Sequence, residues 1–207
     1  MSGTIINAKN ILRRVAPVLR KHTVQFKVIS NAAILSFINS KNFSRVSSGK
    51  FITVYPEQRA FNEIIGELAE VTTDMDGPYI LSDKRFAGSR IVFYRYGGFQ
   101  PIVEIGPDGS RRYKMYSPNG SLVDDDRTPY FKLPSWVSDP YPNSESVHKG
   151  NRLLVDRYEV KMALKFSNSG GVYLAYDKCA KKRVVIKEAR PLTNLWKGAL
   201  GKCDSVN

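Results

Sequence analysis

The stretch TVQFKVISNAAILSFINSKNFSRVSSGKFITVYP, residues 23–56, sets two β-rich runs on either side of one short helical run. Thr23–Ile29 is rich in β-branched and aromatic residues and alternates Gln25 and Lys27 with Phe26 and Val28, which predicts a strand. Asn31 is placed to cap a short apolar helix ending at Ile38. The polar run NSKNFSRVSSGK reads as a loop, and Phe51–Tyr55 reads as a second strand. Pro56 suits a first helical turn. Phe61, Ile64, Ile65, Leu68 and Ala69 then give the following helix an apolar face. Upstream, Ile11, Leu12, Val15, Val18 and Leu19 recur at helical spacing behind Asn7, a candidate N-cap. Pro17 is expected to kink that helix or limit its regular part. These elements predict an α+β domain.

Further along, the reading becomes mostly β. Tyr79–Leu81 and Ile91–Tyr96 are strand-like and joined by the charged run SDKRFAGSR. Pro107-Asp108-Gly109 and Pro118-Asn119-Gly120 mark turns. LPSWVSDPYPNSES has the Pro/Ser content of a linker. After it come RYEVKMALKF, GGVYLAYD and RVVIKEA. The expected organisation is a first domain at 1–140, a linker at 141–156 and a β-rich second unit at 157–207.

The chain has 207 residues, with 32 Lys+Arg against 19 Asp+Glu and a formal net charge of +13. Residues 1–60 carry ten basic side chains and one acidic, and residues 151–207 carry twelve and five. The basic excess at both ends points to an anionic partner. No apolar run has the length of a membrane span, and residues 1–22 show no secretory pattern. Two cysteines, Cys179 and Cys203, form no CxxC pair, so the expected compartment is the reducing cytoplasm. His22 and His148 lack cysteine partners, and Asp124-Asp125-Asp126 lacks EF-hand spacing, so no metal site is expected.

In the C-terminal part, Ser167-Asn168-Ser169-Gly170-Gly171-Val172-Tyr173-Leu174 is a glycine turn between strand-like runs. Lys187 follows in VVIKEA. A strand, a glycine turn, a second strand and a V-x-I-K lysine in that order are how protein kinases begin: backbone amides approach the nucleotide phosphates and the lysine neutralises them. Gly170, Gly171 and Lys187 are the candidate nucleotide-binding residues, although the turn departs from full G-x-G-x-x-G. Neither H-R-D nor D-F-G occurs before Asn207, so phosphoryl transfer by this chain alone is not expected.

FKVISNAAILSFINSKNFSRVSSGKFITVYP, GPYILSDKRFAGSRIVFYRYGGF and PYFKLPSWVSDPYP, followed by SNSGGVYL and VVIKEARP, resemble class III lanthipeptide synthetases over nearly the whole chain. The resemblance implies a phosphoserine/phosphothreonine lyase domain, similar in fold to bacterial effector phosphothreonine lyases, ahead of a kinase and a cyclase. It also implies phosphate β-elimination from a phosphorylated precursor peptide to dehydroalanine or dehydrobutyrine. The lyase would need no cofactor, and ATP and magnesium would serve only the full kinase. Neither a nucleic acid nor a membrane is implied as partner.

Elimination removes a weakly acidic Cα proton and expels a phosphate dianion, so it needs a held base and fixed cations facing the leaving group. In this family a strand lysine in an F-K context is the base, and Lys27 matches it. The alternating pattern also fits Lys27 on the wet face of a plain strand. Candidates for holding phosphate are Lys41, Lys50, Arg90 and Arg95. Lys84 and Arg85 could cover the site, and Tyr94 could hydrogen-bond to the phosphate or the enolate. Arg90 and Arg95 lie five apart, so a regular strand would send them to opposite faces. Thr53 and Tyr55, with Phe51, are expected to be a packing face.

Family members with a full lyase domain carry a W-K-x-H-V-S-like strand that would end about where Met1 stands. Its histidine is the family's expected general acid, and His22 is a poor substitute for it. Two other readings stay open: a non-catalytic module that binds an acidic or phosphorylated peptide, and a nucleic-acid binder using FYRY as a stacking platform.

Overall fold

The computed structural model describes residues 1–142, 153–154 and 156–193. His148, Cys203 and most of the expected linker lie outside these residues. The first segment holds helix α1 (Ala8–Lys21), strand β1 (Gln25–Val28), helix α2 (Ala32–Ile38), strand β2 (Ile52–Tyr55) and helix α3 (Phe61–Glu70). Two short pieces follow, β3 (Lys84–Arg85) and β4 (Phe93–Tyr94). A meander completes the segment: β5 (Ile102–Ile105), β6 (Arg111–Tyr116) and β7 (Leu122–Asp124). Helices and antiparallel sheets are mixed, as the sequence led one to expect.

Local chemistry explains most of these elements. Asn31 caps α2, its side-chain oxygen accepting from the N–H groups of Ala33 at 2.7 Å and Ile34 at 3.3 Å. Asn7 stands at the N-cap position of α1 but makes no side-chain cap. Its Oδ1 accepts from Thr4 instead, and its Nδ2 donates to the Asp76 carbonyl at 2.6 Å. Pro17 does not end α1, which runs on to Lys21 because Ile11, Val15, Val18 and Leu19 are buried along one stripe. That stripe packs with Ile64, Ile65 and Leu68 of α3 and with Leu35, Ile38 and Ile52 to make the core.

β1 and β2 pair antiparallel with Lys27 opposite Thr53 and Gln25 opposite Tyr55. Directly opposed residues share a face. One face therefore carries Val28, Val54 and the fully buried Ile52 toward the core, and the other carries Gln25, Lys27, Thr53 and Tyr55. Along β2, Met1 accepts backbone hydrogen bonds from Phe51 and Ile52, and Ser2 bridges to Lys50. The first residues therefore lie beside Lys50, and the Met1 amine, buried and donating to the Ile52 carbonyl at 2.7 Å, is pushed down to about 6 by that burial.

The C-terminal segment is a four-stranded antiparallel sheet in the order β11-β10-β9-β8, from β8 (Leu153–Leu154), β9 (Tyr158–Ser167), β10 (Gly170–Asp177) and β11 (Lys182–Lys187). Gly170 holds φ at +139°, and a Cβ there would lie 2.1 Å from the Glu188 carbonyl oxygen, so the glycine is required. Of the FYRY rings, Phe93 and Tyr94 are buried, at 8% and 6% exposure, and Tyr96 is exposed. Among the described residues, no helix is long and apolar enough to cross a membrane.

Candidate functional site

Register puts Lys27 on the open face of β1, across from Thr53, and its ammonium stands 5.7 Å from the centre of the Tyr55 ring. Tyr55 in turn packs edge-on against Phe99 at 4.6 Å. The expectation that Thr53 and Tyr55 form a packing face is therefore incomplete, since these half-buried residues are also the floor under Lys27. Phe51, by contrast, is buried in the core.

Lys50 lies at the entry to β2, and its Nζ sits 3.0 Å from an Asp83 carboxylate oxygen; Lys50 keeps 22% of its side-chain exposure and Asp83 keeps 11%. Asp83 also accepts from the Ser82 hydroxyl at 2.7 Å. Burial holds the Lys50 ammonium below the ordinary lysine value. Asp83 opposes that shift, and the charges of Arg95 and Lys27 add to it. Lys27, Lys50 and Arg95 thus share one electrostatic neighbourhood. The lysine lowered by burial is Lys50. The missed signal was Ser48-Gly49-Lys50-Phe51, a lysine leading directly into a buried strand.

Arg95 follows β4 and folds back over Gly97. Its Nη2 stands 3.5 Å from Asp125, which Arg127 also engages at 3.1 Å. A Cβ on Gly97 would come within 3.1 Å of the Arg95 guanidinium, so the glycine leaves room for it. Beyond Arg95 opens a cleft of about 390 Å³ lined by Tyr96, Gly98, Phe99 and Met115 among others; neither Lys27 nor Lys50 lines it.

The remaining candidates lie apart from this group or have their polar atoms engaged elsewhere. Arg90 is exposed and pairs with Asp76 at 3.0 Å. Lys41 is exposed on the loop after α2. Lys84 donates to Asp139 and to the Tyr141 carbonyl, both at 2.6 Å, and Tyr94 donates to Asp139 at 2.7 Å. The two side chains, opposed across β3 and β4, fasten the 139–142 segment to the body. Arg85 faces the other way, its guanidinium over Tyr79 at 4.8 Å and Phe93 at 5.7 Å. Lys84, Arg85 and Tyr94 each have structural partners.

At the glycine turn, the Gly171 N–H donates to the Glu188 carboxylate at 3.0 Å, and the Tyr173 hydroxyl donates to the same oxygen at 2.8 Å. Lys187 is exposed and opposes Val172. Elsewhere, His22 meets Glu63 and Glu67 with ligand atoms within 4.8 Å of one another, a trio that could hold a cation and that sequence spacing did not reveal. The Lys21 ammonium already lies 2.5 Å from Glu67 there.

Comparison with known proteins agrees with the motif reading. Residues 1–152 match the family model described as RamC, N-terminal domain. Over 198 residues the chain is 40% identical to a protein of Streptomyces coelicolor named "Probable SapB synthase". That alignment covers 94% of this chain and 21% of the relative, so the chain spans about a fifth of the relative's length.

Proposed function

Because the chain belongs to the RamC N-terminal domain family, we propose that its Lys27–Lys50–Arg95 face serves a lanthipeptide synthetase by eliminating phosphate from phosphoserine or phosphothreonine of a precursor peptide. The observation that carries this reading is the half-buried Lys50, paired with Asp83 at the entry to β2, with two further cations, Lys27 on the open face of β1 and Arg95, close enough to act on its charge. Such a group suits a substrate that brings a dianion and leaves as one.

In the proposed step Lys27, as the free amine, takes the Cα proton of the phosphorylated residue. The electron pair left on carbon forms the Cα–Cβ double bond. The Cβ–O bond breaks, and phosphate departs with that bonding pair, its leaving oxygen taking one proton from solvent water so that it is released as the hydrogen phosphate dianion. Lys50 and Arg95 face the phosphate, the arginine offering a planar fork and the lysine a point charge. Lys27 is the choice for the proton because it stands on the open face, where a peptide backbone can reach it, whereas Lys50 is paired with Asp83. A second reading exchanges the two lysines, favoured by the burial that lowers Lys50 toward a neutral amine.

Chemical rescue separates the two. A proton-abstracting lysine replaced by alanine leaves a gap that a small primary amine in solution can fill, and removing such a base costs on the order of 10²–10⁴-fold in rate. Lys27→Ala is expected to lose kcat and regain activity with methylamine. Lys50→Ala is expected to raise the KM for phosphopeptide and gain nothing from the amine. Rescue of Lys50→Ala alone would assign the roles the other way. Full activity in both variants would remove this face from the chemistry.

A further inference from the structure

The tip of the β9–β10 hairpin does not end in solvent. Asn168 is 1% exposed, although it is polar and lies in a turn. Its backbone N–H donates to the Lys41 carbonyl at 3.1 Å, and its Nδ2 donates to the Ser40 carbonyl at 2.9 Å. Its own carbonyl and Oδ1 accept from Arg190 Nη1 at 2.7 and 3.3 Å. All four polar groups of this residue are thus satisfied, as burial requires. Arg190 is held by its N–H to the Ser169 carbonyl and reaches onward, its Nη2 donating to the Tyr79 carbonyl at 2.5 Å. Beside them the Arg45 guanidinium stacks over Phe166 at 4.4 Å.

These contacts converge behind Lys50. Ser40, Lys41 and Arg45 belong to the loop that ends at Lys50. Tyr79 belongs to the segment that leads to Asp83, the partner of Lys50. The two backbones touch at Gly49, where an added Cβ would lie 3.2 Å from Ile80 and 3.6 Å from the Tyr79 carbonyl. Asn168 therefore holds one arm of the Lys50 site and Arg190 the other, and a hydrogen bond joins the two residues.

We propose that Asn168 and Arg190 are positioning residues for the phosphate-eliminating site, so that its working unit extends beyond residues 1–152 to include the glycine-turn hairpin. The inference rests on the function proposed above for Lys50. Its mechanism is steric and polar: the clamp fixes where the Lys50 ammonium stands when a phosphate arrives.

The test uses the whole chain and three variants, Asn168→Ala, Arg190→Ala and Arg190→Lys. Amide hydrogen exchange in residues 40–50 is expected to rise about tenfold in both alanine variants, while α1 stays protected. With a phosphoserine peptide, kcat/KM is expected to fall about tenfold, chiefly through KM, because the lost contacts include charge-assisted hydrogen bonds. Arg190→Lys should fall between, since an ammonium cannot bridge Asn168 and Tyr79 as a guanidinium fork does.

Unchanged exchange in both alanine variants overturns the clamp whatever the activity. Faster exchange with unchanged kcat/KM overturns the positioning role. If the unaltered chain does not eliminate phosphate, the function reading fails separately, and binding of inorganic phosphate then decides. A weakened phosphate Kd in Arg190→Ala supports positioning, and an unchanged one overturns it. Should Asn168→Ala fail to fold, Arg190→Lys carries the same comparison.

Discussion

Asp83→Asn removes the carboxylate 3.0 Å from Lys50 Nζ while keeping the side chain's size. At that distance and an effective dielectric constant of about 20, the attraction is about 5–6 kcal/mol before solvent screening. Breaking a buried pair by removing one partner costs about 3–5 kcal/mol. Lys50 retains 22% exposure, so the low end applies, about 3 kcal/mol at pH 7. The loss must depend on pH. Burial already lowers Lys50, and Asp83 is the main opposing influence. Without Asp83 the folded-state value drops further, while the unfolded value stays at the ordinary 10.5.

Between those two values the unfolded chain binds more protons than the folded one, so stability rises with pH. The variant's deficit should therefore shrink as pH rises above neutrality and Lys50 becomes neutral in the fold. The Met1 amine, held at about 6, is already neutral across that window. Urea unfolding at several pH values, read by far-ultraviolet circular dichroism, measures this directly. A deficit that stays constant with pH, or no deficit at all, would refute the claim that Lys50 is a desolvated cation held by Asp83.

Two further outcomes follow from the same geometry. Gly49→Ala forces a side chain onto a backbone at φ +83° and against Ile80, costing about 1–2 kcal/mol for the left-handed conformation alone; thermal melting should show that loss, and a raised KM for phosphopeptide should accompany it. Asp139 is pushed up by burial but held lower overall by Lys84, the Tyr94 hydroxyl and the Tyr141 N–H. The stability it contributes is present above the ordinary carboxylate range and disappears as pH falls through its depressed folded value. Tryptophan emission should therefore shift on acidification below about pH 4, with Asp139→Asn already shifted at neutral pH and showing no acid step.

What the sequence made legible was local. Alternation of Gln25 and Lys27 with Phe26 and Val28 specified which face of β1 carries Lys27, although Phe26 on the other face stays exposed, and Asn31 announced α2 because a capping side chain acts within three residues. Helical spacing in Ile11–Leu19 and Phe61–Ala69 marked the two helices that build the core. What stayed hidden was long-range pairing. Lys84 and Tyr94 read as site candidates, and nothing near them in the chain shows that Asp139, 55 and 45 residues away, engages their polar atoms. Lys50 read as one cation among several, because its burial and its partner Asp83, 33 residues on, have no local signature. Asn168 read as part of a nucleotide turn, and its second set of partners, 128 residues distant at Ser40, has no local signature. Pro17 sits inside α1 without ending it, since burial of one apolar stripe outweighs a missing hydrogen bond.

The most direct measurement is the fate of a phosphoserine peptide carrying deuterium at Cα, incubated with the whole chain and followed by mass spectrometry and phosphorus resonance. Proton abstraction by Lys27 predicts dehydroalanine that a thiol can trap, release of one inorganic phosphate per product, slower turnover of the deuterated peptide, and loss of all three in Lys27→Ala. Serine as the product, or equal turnover by Lys27→Ala, would contradict elimination at this face.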